Sequence, residues 1–466
     1  MNHSQSSVGF EKARLVERDE HNVSRRLISD NALKVLSKLR AGNFDAYLVG
    51  GCVRDIILGS KPKDFDVATS ATPEEVRALF KNAHIIGRRF KIVHIRYGRE
   101  IIEVTTFRAN HAPNVQKEGK QSRKNLKDSV SAHNSSGMIL RDNVYGNIDE
   151  DAARRDFTIN ALYYTLDQFR ILDFCDGLRD LNEGLIRMIG DPESRYREDP
   201  VRMLRALRFA AKLQFEIEPA TLKPIDELAH LLESISPARL FDETIKLLTG
   251  GQAVATFELI RNCEVGHYLF PPTLHALEHC DAQAARLLDL ALENTDKRLA
   301  EEKSVTPAFL FAALLWPVLQ HRLKTEQPSQ NNDYQAFQII ANDVLMQQLQ
   351  YTAIPKRFTL VTKDIWEMQL RLTRKNRRSV ENVFAHPKFR AAYDFLLLRE
   401  ESGEDLAGLG QWWTDYQVAS DEQRSTMVNS APAGKGKPRR RSRKKPSAGE
   451  WCKTPALTRI FQGSLR

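Results

Sequence analysis

Two aspartates separated by one residue, with a pair of glycines shortly before them, form the pattern in this chain that points most directly to chemistry. Asp64 and Asp66 flank Phe65, and Gly50 and Gly51 precede them. In a strand, side chains at i and i+2 share a face, so both carboxylates point the same way. Magnesium prefers such oxygen ligands together with substrate phosphates. A paired-glycine turn lets backbone N–H groups approach a phosphate that a Cβ would keep away.

Each half of this pattern also has an ordinary structural interpretation. An isolated Asp-x-Asp is more often a solvated strand edge or turn, and a Gly-Gly pair is often only a turn. A third feature favours the chemical interpretation, because residues 100–108 are rich in β-branched side chains, predict a strand and carry Glu103. A strand glutamate ordinarily faces solvent, but beside an Asp-x-Asp strand it becomes a candidate third ligand. Together these features favour phosphoryl or nucleotidyl transfer.

Length and composition narrow the class of protein. A chain of 466 residues predicts roughly three domains of about 150 residues each. Five scattered cysteines without a CxxC pair argue against a structural zinc site and a disulfide framework, and they fit a reducing cytoplasm. No apolar run of about 18 residues is present, and the first twenty residues lack the apolar core of a secretory signal. We therefore expect a cytoplasmic protein with no membrane partner.

The net charge of +9 is concentrated near the C-terminus. Eight positive residues lie in one Gly- and Pro-interrupted stretch, so the remainder carries +1. We expect residues 429–466 to form a disordered tail that contacts RNA, because clustered cations release counterions from phosphates. A solubilising tail is the alternative. The proposed RNA-binding residues are Lys435, Lys437, Arg439, Arg440, Arg441, Arg443, Lys444 and Lys445.

Hydrophobic patterns predict the organisation of the chain. After an N-terminal extension (1–29), strands and helices alternate through a small α/β head at 30–193, which includes a capping box at Thr72–Glu75 and a hairpin at Gly98-Arg99. Residues 109–137 are polar and predict a flexible loop. From about residue 194 helical spacing dominates, which indicates a neck (194–270) and a body with a distal domain (271–428).

Further motifs follow in order, and together they carry a family resemblance. They are Gly50-Gly51-Cys52-Val53-Arg54-Asp55, Asp64-Phe65-Asp66, Arg154-Arg155-Asp156-Phe157-Thr158-Ile159-Asn160, Asp173 to Leu181, and Glu198 to Arg205. The set resembles the class II template-independent nucleotidyltransferases, which comprise bacterial poly(A) polymerases and tRNA CCA-adding enzymes. Cys52 departs from the usual glycine or alanine. The resemblance implies an α/β nucleotidyltransferase head with a small mixed sheet, followed by all-helical neck, body and distal domains.

The resemblance also implies roles for individual residues. Asp64 and Asp66 would hold two magnesium ions, with Glu103 as the third carboxylate. Arg54 and Arg155 suit the triphosphate of ATP, while Asp156 and Asn160 suit a ribose hydroxyl. Asp156 would alternatively support the metal site.

The motif around Asp199 is expected to read the nucleotide base. Asp199 and Arg202 are predicted on one helix face, where a carboxylate and a guanidinium read the edge of the base. Arg205 and Arg208 would continue that basic face. The structural alternatives are a helix N-cap for Asp199 and surface ion pairs for the arginines. Residues 236–243 are predicted to support the base-reading helix.

The choice between the two activities depends on residues 85–95, which contain Gly87-Arg88-Arg89-Phe90 and His94. This segment resembles a signature of bacterial poly(A) polymerases, although a basic turn with a merely packed His94 is its structural alternative. The resemblance and the basic tail favour a monomeric enzyme that adds AMP from ATP to RNA 3′ ends and so promotes RNA decay. A tRNA CCA-adding enzyme is the alternative activity. An inactive RNA-binding protein is the alternative from another class.

Overall fold

The computed structural model describes residues 13–87, 91–109, 131–133, 139–142, 144–279, 282–326 and 333–429. The predicted basic tail lies outside the described residues from residue 430 onward, and this part includes all eight of its proposed RNA-binding residues. So do Arg88, Arg89 and Phe90 of the polymerase signature and most of the predicted loop.

A mixed sheet of eight strands forms the centre of the head. The strands of the described residues are β1 (Arg14–Val16), β2 (Ala46–Val49), β3 (Phe65–Thr69), β4 (Ala83–Ile86), β5 (Ile92–Tyr97), β6 (Glu100–Thr106), β7 (Ser131–His133), β8 (Ile139–Asp142), β9 (Leu162–Tyr164), β10 (Ile171–Asp173), β11 (Leu185–Ile186) and β12 (Glu216–Ile217). The central sheet has the order β1-β10-β9-β2-β3-β6-β5-β4. Within it β3 and β6 are parallel, and the other neighbours are antiparallel.

Helices cover the sheet and build the rest of the described chain. They are α1 (Asp30–Ala41), α2 (Gly51–Ile57), α3 (Pro73–Leu79), α4 (Ile148–Ala153), α5 (Gly177–Glu183), α6 (Pro192–Glu198), α7 (Val201–Leu213), α8 (Pro219–Leu228), α9 (Pro237–Leu248), α10 (Ala253–Arg261), α11 (Val265–Leu269), α12 (Pro271–His279), α13 (Ala282–Ala300), α14 (Pro307–Leu314), α15 (Trp316–Thr325), α16 (Asp333–Gln348), α17 (Lys356–Leu372), α18 (Arg377–Phe384), α19 (Phe389–Glu401), α20 (Leu409–Val418) and α21 (Asp421–Asn429). The predicted mixed-sheet head followed by a helical remainder is confirmed.

Local sequence signals explain where several of these elements begin. The Thr72 side chain caps α3 by accepting a hydrogen bond from the backbone N–H of Glu75. The Glu75 carboxylate in turn accepts a hydrogen bond from the backbone N–H of Thr72, as the capping box predicts. The hairpin predicted at residues 98–99 joins β5 to β6. The predicted helix after the glycine turn is α2.

The two faces of the sheet bury different clusters. Along β3, Phe65 and Val67 belong to the main core, which continues into the helical body. Ala68 belongs to a smaller cluster with Tyr47 and Tyr163. Because side chains alternate along a strand, Asp66 shares this second face with Ala68. The sheet therefore directs Asp66 away from the main core.

The structure differs from the sequence predictions at three places. β7 lies within the loop predicted over 109–137 and pairs with β8. β1 lies within the predicted N-terminal extension and forms an edge of the central sheet. β12 lies among the predicted neck helices and pairs with β11. Such two- and three-residue strands are too short for a periodic signal, and their pairing partners are distant in sequence.

Helical packing organises the remainder. Trp366 of α17 is fully buried and donates through its indole N–H to the Ala312 carbonyl, 3.0 Å away. Trp413 of α20 is also fully buried and centres a separate distal cluster. Among the described residues, no helix combines the length and apolar character needed to cross a bilayer.

Candidate active site

Strand register places carboxylates side by side on the second face of the sheet. Asp66 of β3 pairs with Glu103 of β6, and Val49 of β2 pairs with Asp66. Directly paired residues share a face, so the two acids are immediate neighbours. Asp64 is exposed and lies just before β3 begins. The predicted strand pairing of Asp66 with Glu103 is therefore present.

Like charges and burial strain this carboxylate pair. Burial, followed by the charge of Glu103, raises the pKa of Asp66 to about 6, with a smaller contribution from Asp64. Arg155 acts in the opposite direction. A bound cation would relieve this repulsion, and the all-oxygen donor set suits a hard ion such as magnesium.

Within the described ranges, no three His, Cys, Asp or Glu side chains converge as a metal site. The Glu103 carboxylate instead has a close partner, since its Oε1 lies 3.1 Å from His94 Nε2. His94 is paired with Glu103 across β5 and β6. Its side chain thus contacts the predicted third ligand. The assignment of Asp64, Asp66 and Glu103 as metal ligands accordingly stays a prediction.

The glycine turn approaches these carboxylates closely. Gly50 has φ +78°, a conformation that favours glycine, and it precedes the first residue of α2. A Cβ at Gly50 would lie 3.9 Å from Asp66 Oδ2 and 3.7 Å from Arg155 Nη1. The turn, the aspartate and the arginine therefore surround one small volume, and a side chain at residue 50 would enter it. Gly51 begins α2 beside this volume.

Arg155 is held rigidly at that volume. Its Nε donates to the Tyr163 hydroxyl at 2.8 Å, and its Nη2 donates to Asp151 Oδ2 at 3.0 Å. The Tyr163 hydroxyl also donates to Asp151 Oδ2. Two of the three guanidinium nitrogens are thus fixed, and Nη1 faces the glycine turn. Asp151 is not among the predicted site residues, although an acid four positions before Arg155, near the end of a helix, is a detectable signal.

Arg54 occupies a more enclosed position than its predicted phosphate role requires. It is 2% exposed and donates to Asn160 Oδ1 at 2.7 Å and to Asp55 Oδ1 at 2.8 Å. Its guanidinium also lies 5.1 Å from the centre of the Phe209 ring. These contacts join α2 to Asn160 and to α7. The structure therefore places Arg54 and Asn160 together as a buried pair beneath the glycine turn.

Asp156 connects the head to the neck. Arg205 Nη2 of α7 lies 2.6 Å from Asp156 Oδ2, and the Phe157 backbone N–H donates to Asp156 Oδ1 at 2.9 Å. Burial opposes ionisation of this carboxyl, but Arg205 and the Phe157 N–H hold the pKa of Asp156 below its ordinary value. Asp156 is consequently an ionised anchor for Arg205.

The prediction that Asp199 and Arg202 share one helix face is wrong. Asp199 has extended backbone at the end of α6, and α7 begins at Val201. Its side chain does not cap α7 and instead accepts from Arg239 Nη2 at 2.7 Å. Arg202 Nη1 turns back to the Arg195 carbonyl at 2.7 Å and to Glu198 Oε2 at 2.8 Å. Pro200 separates the helices because the residue before a proline disfavours helical backbone.

Two further arginines, Arg239 and Arg195, hold the site residues in place. Arg239 belongs to the segment predicted as scaffolding, and its bond to Asp199 agrees with that role. Arg195 Nη2 donates to the carbonyls of Arg154 and Arg155, the latter at 2.5 Å. Sequence alone gave no signal for Arg195, because its partners lie about forty residues away.

The motif from Asp173 to Leu181 supports the backbone under Asn160. Asp173 accepts from the backbone N–H groups of Gly177 and Leu178, each at 2.9 Å. A Cβ at Gly177 would lie 2.3 Å from the Thr158 carbonyl oxygen, so only glycine fits there. Asp180 accepts from Thr158 Oγ1 at 2.6 Å. The motif is structural and fixes the turn from Thr158 to Asn160.

Comparisons with known proteins agree with this arrangement. Family models match residues 46–187 ("Poly A polymerase head domain"), 214–277 ("Probable RNA and SrmB- binding site of polymerase A") and 329–447 ("Polymerase A arginine-rich C-terminus"). Poly(A) polymerase I of Salmonella typhimurium is 48% identical over 433 residues, which cover 92% of this chain and 91% of that protein. The chain belongs to the poly(A) polymerase family.

CCA-adding enzymes are similar over less of the chain. The CCA-adding enzyme of Leuconostoc mesenteroides is 40% identical over 242 residues, which cover 52% of this chain and 55% of that protein. A solved structure described as a CCA-adding enzyme in apo form II has a TM-score of 0.56 at 19% identity, covering 90% of this chain and 92% of that one. That similarity confirms the fold.

The raised pKa of Asp66 predicts that ionising this side chain lowers the free energy of unfolding. Because the folded chain binds this proton more tightly than the unfolded chain, the free energy of unfolding falls as pH rises through the window from 3.8 to about 6. In magnesium-free buffer above this window, Asp66→Asn should raise the free energy of unfolding by about 1–3 kcal/mol.

Urea melts above and below that window measure this effect. The gain should disappear below the ordinary aspartate pKa, where both forms of the protein are neutral at residue 66. Asp64→Asn serves as the control, because that side chain is exposed, and it should give a smaller gain. Superimposable melts of the Asp66→Asn variant and the parent chain above the window would contradict the burial and repulsion inferred for Asp66.

Proposed function

We propose that the sheet face carrying Asp66 and Glu103, together with Asp64 just before β3, is the centre at which this chain transfers AMP from ATP to RNA 3′ ends. The enzyme is a polynucleotide adenylyltransferase that acts without a template, because relatives named Poly(A) polymerase I match over about nine tenths of its length. The observation that supports this location is the in-register pair of Asp66 and Glu103 beside the Gly50 turn and Arg155.

The carboxylates are proposed to hold two magnesium ions, with Asp64 and Asp66 as the principal ligands and Glu103 as the third. Bound magnesium would neutralise the triphosphate and the leaving pyrophosphate and make the RNA 3′ hydroxyl easier to deprotonate. The oxygen-only donor set and the raised pKa of Asp66 support this assignment. His94 holds Glu103 by one oxygen and so limits the directions in which this carboxylate can point.

The Gly50 turn and the polar residues around it are proposed to bind and orient ATP. The Gly50 turn admits a phosphate close to the backbone, and Arg155 Nη1 faces the same volume. Arg54 and Asn160 lie directly beneath this turn, where their mutual bond fixes its base. Asp156 then positions Arg205 at the head–neck junction rather than contacting the ribose. The burial of Asp156 and its existing bonds support this anchoring role over both the ribose contact and the metal support expected from the sequence.

Base selection is proposed to involve Asp199 and Arg202 at the junction of α6 and α7. Although they do not share a helix face, both side chains are oriented by neighbouring groups, Asp199 by Arg239 and Arg202 by Glu198. A fixed carboxylate and a fixed guanidinium are the groups needed to read a base edge. We expect ATP to be preferred to CTP, UTP and GTP.

The domain boundaries, a monomeric state and a cytoplasmic location also belong to this proposal. The RNA substrate is proposed to contact the basic tail through its phosphates. The chain's similarity to CCA-adding enzymes over about half of its length makes a tRNA lacking CCA the appropriate competing substrate. Offering each nucleotide separately with a generic RNA and with that tRNA distinguishes AMP addition from CCA addition.

Removing either aspartate should eliminate extension of an RNA primer. We expect Asp64→Ala and Asp66→Ala to lose at least about a thousandfold in kcat, because charge stabilisation worth several kcal/mol is lost. Primer Kd, measured by fluorescence anisotropy, should change little. Asp167→Ala is the matched control, since that carboxylate is exposed and pairs only loosely with Arg40, at 3.6 Å. Near-normal turnover by either aspartate variant would remove the metal assignment.

Base selection should depend on Arg202 and on Arg239, which holds Asp199 at the junction of α6 and α7. Arg202→Ala should reduce ATP preference by a factor equivalent to about 1–3 kcal/mol, by analogy with protein readout of base edges. Arg239→Ala should have a similar but smaller effect, because it releases Asp199. Lys246→Ala, on the same helix as Arg239 and exposed, is the control. Unchanged selectivity in mixed-nucleotide competition would leave Asp199 and Arg202 as structural residues.

Deleting residues 435–445 should weaken primer binding and flatten its salt dependence. Each phosphate contact on a single strand contributes about 0.7 to the slope of log K against log salt. Addition of one nucleotide at saturating primer should remain nearly normal, while processivity falls. Truncation of residues 446–466 is the control, because it retains all eight basic residues. Parallel salt slopes for the two deletions would favour the solubilising role.

A further inference from the structure

A second concentration of positive charge lies in the helical body, far along the chain from the catalytic motifs. Residues 371–378 contain five basic residues and no acidic one. This segment joins the end of α17 to the start of α18. Without the eight clustered basic residues of the predicted tail, the chain carries a net charge of only +1, so such a cluster is not a general property of its surface. Its location therefore requires a specific explanation.

The same segment borders a cavity of about 220 Å³. Its lining includes two guanidinium groups, an imidazole, a hydroxyl and an amide, from Arg371, Arg374, His386, Ser379 and Asn382. All of these groups donate hydrogen bonds, and none of the lining residues carries a negative charge. The volume is below the roughly 300–1,000 Å³ of typical small-molecule pockets. A phosphate group fits both the chemistry and the size better than a whole nucleotide.

The acidic side chain that pairs with Arg371 only partly offsets the positive charge of the cavity. Glu367 Oε2 is 3.8 Å from Arg371 Nη2, beyond hydrogen-bond length. That carboxylate already accepts from the Tyr334 hydroxyl at 3.0 Å and from Gln338 at 3.2 Å. Lys375 adds a further positive charge beside the cavity, where its Nζ lies 5.4 Å from the centre of the Trp412 ring. The local field consequently favours an anion.

Helix α17 links this cavity to the base-selecting junction. Near its first turn, Phe358 stacks on Phe241 of α9, the helix whose Arg239 holds Asp199. From Phe358 to Arg374 the chain advances sixteen residues, which corresponds to about 24 Å at the helical rise of 1.5 Å per residue. An anion in the cavity would therefore lie well away from the proposed ATP site. An RNA strand is long enough to contact both places.

We propose that this cavity binds a backbone phosphate of the RNA substrate upstream of its 3′ end. The proposal rests on the proposed function, because RNA is the polyanion that this enzyme must hold while its 3′ end is extended. Arg371 and Arg374 supply the charge, while Ser379, Asn382 and His386 supply further donors. Binding is independent of sequence, since a phosphate carries no base identity.

The test uses the full chain with Arg371→Gln and Arg374→Gln combined. For a long RNA primer, the slope of log Kd against log salt should become shallower by about 0.7, the contribution of the one phosphate held in the cavity. A short oligoadenylate that cannot reach the cavity should bind and be extended as in the parent chain. The control is Arg286→Gln with Lys303→Gln, two exposed cations of the body, which change the net charge equally.

The outcomes separate this proposal from the function on which it rests. A primer-length-dependent loss that is absent from the control supports the cavity site. Equal salt slopes for the cavity variant and the parent chain overturn it, as would an equal loss on long and short primers or an equal loss in the control. Arg374→Gln alone, at an exposed position, repeats the test if the double variant has a lowered Tm. Failure of the parent chain to extend any primer with ATP would instead overturn the proposed function.

Discussion

The parallel pairing of β3 with β6 is the constraint on which the catalytic arrangement depends. It brings Asp66 and Glu103 into direct register on one face of the sheet. Two adjacent carboxylates repel each other, and burial adds to that cost, which explains the raised pKa of Asp66. The sheet maintains this unfavourable pairing because its backbone bonds and the buried side chains on its opposite face specify the register. The close approach of these two acidic side chains is thus built into the backbone.

The guanidinium of Arg155, which lies close to the carboxylates, is positioned by hydrogen bonds to neighbouring residues. Arg155 faces the site because Asp151 and Tyr163 hold its other nitrogens. The carbonyls next to Arg155 are in turn held by Arg195 from α6. An ion pair likewise joins Asp156 in the head to Arg205 in the neck. The orientation of the head on the neck and the orientation of Arg155, which faces the glycine turn, therefore depend on the same junction.

This junction also suggests how one scaffold serves two related activities. The Asp66–Glu103 pair and the glycine turn lie in the head domain, and the CCA-adding enzyme of Leuconostoc mesenteroides is similar to this chain over 52% of its length. The similarity to Poly(A) polymerase I extends through the helical body as well. The proposed phosphate cavity lies in that body. We infer that the head supplies chemistry common to both groups, while the way RNA is held upstream differs between them.

Sequence alone determined much of this protein. The Asp-x-Asp spacing, the glycine turn, the Thr72 capping box and the β5–β6 hairpin are local patterns, and the structure contains each of them. Local patterns succeed because backbone periodicity and capping depend on residues only a few positions apart. The ordered set of motifs was sufficient to predict the fold class and the family.

Tertiary structure alone decided how the site is supported. The bond from Arg239 to Asp199 spans forty positions, and the bond from Arg54 to Asn160 spans 106. The strand pairing that gives Glu103 both Asp66 and His94 as neighbours is likewise set by sheet order. The shared helix face predicted for Asp199 and Arg202 was wrong because Pro200 separates α6 from α7, and the two side chains contact different partners. Long-range partners are selected by packing of the whole chain, and no local spacing encodes that choice.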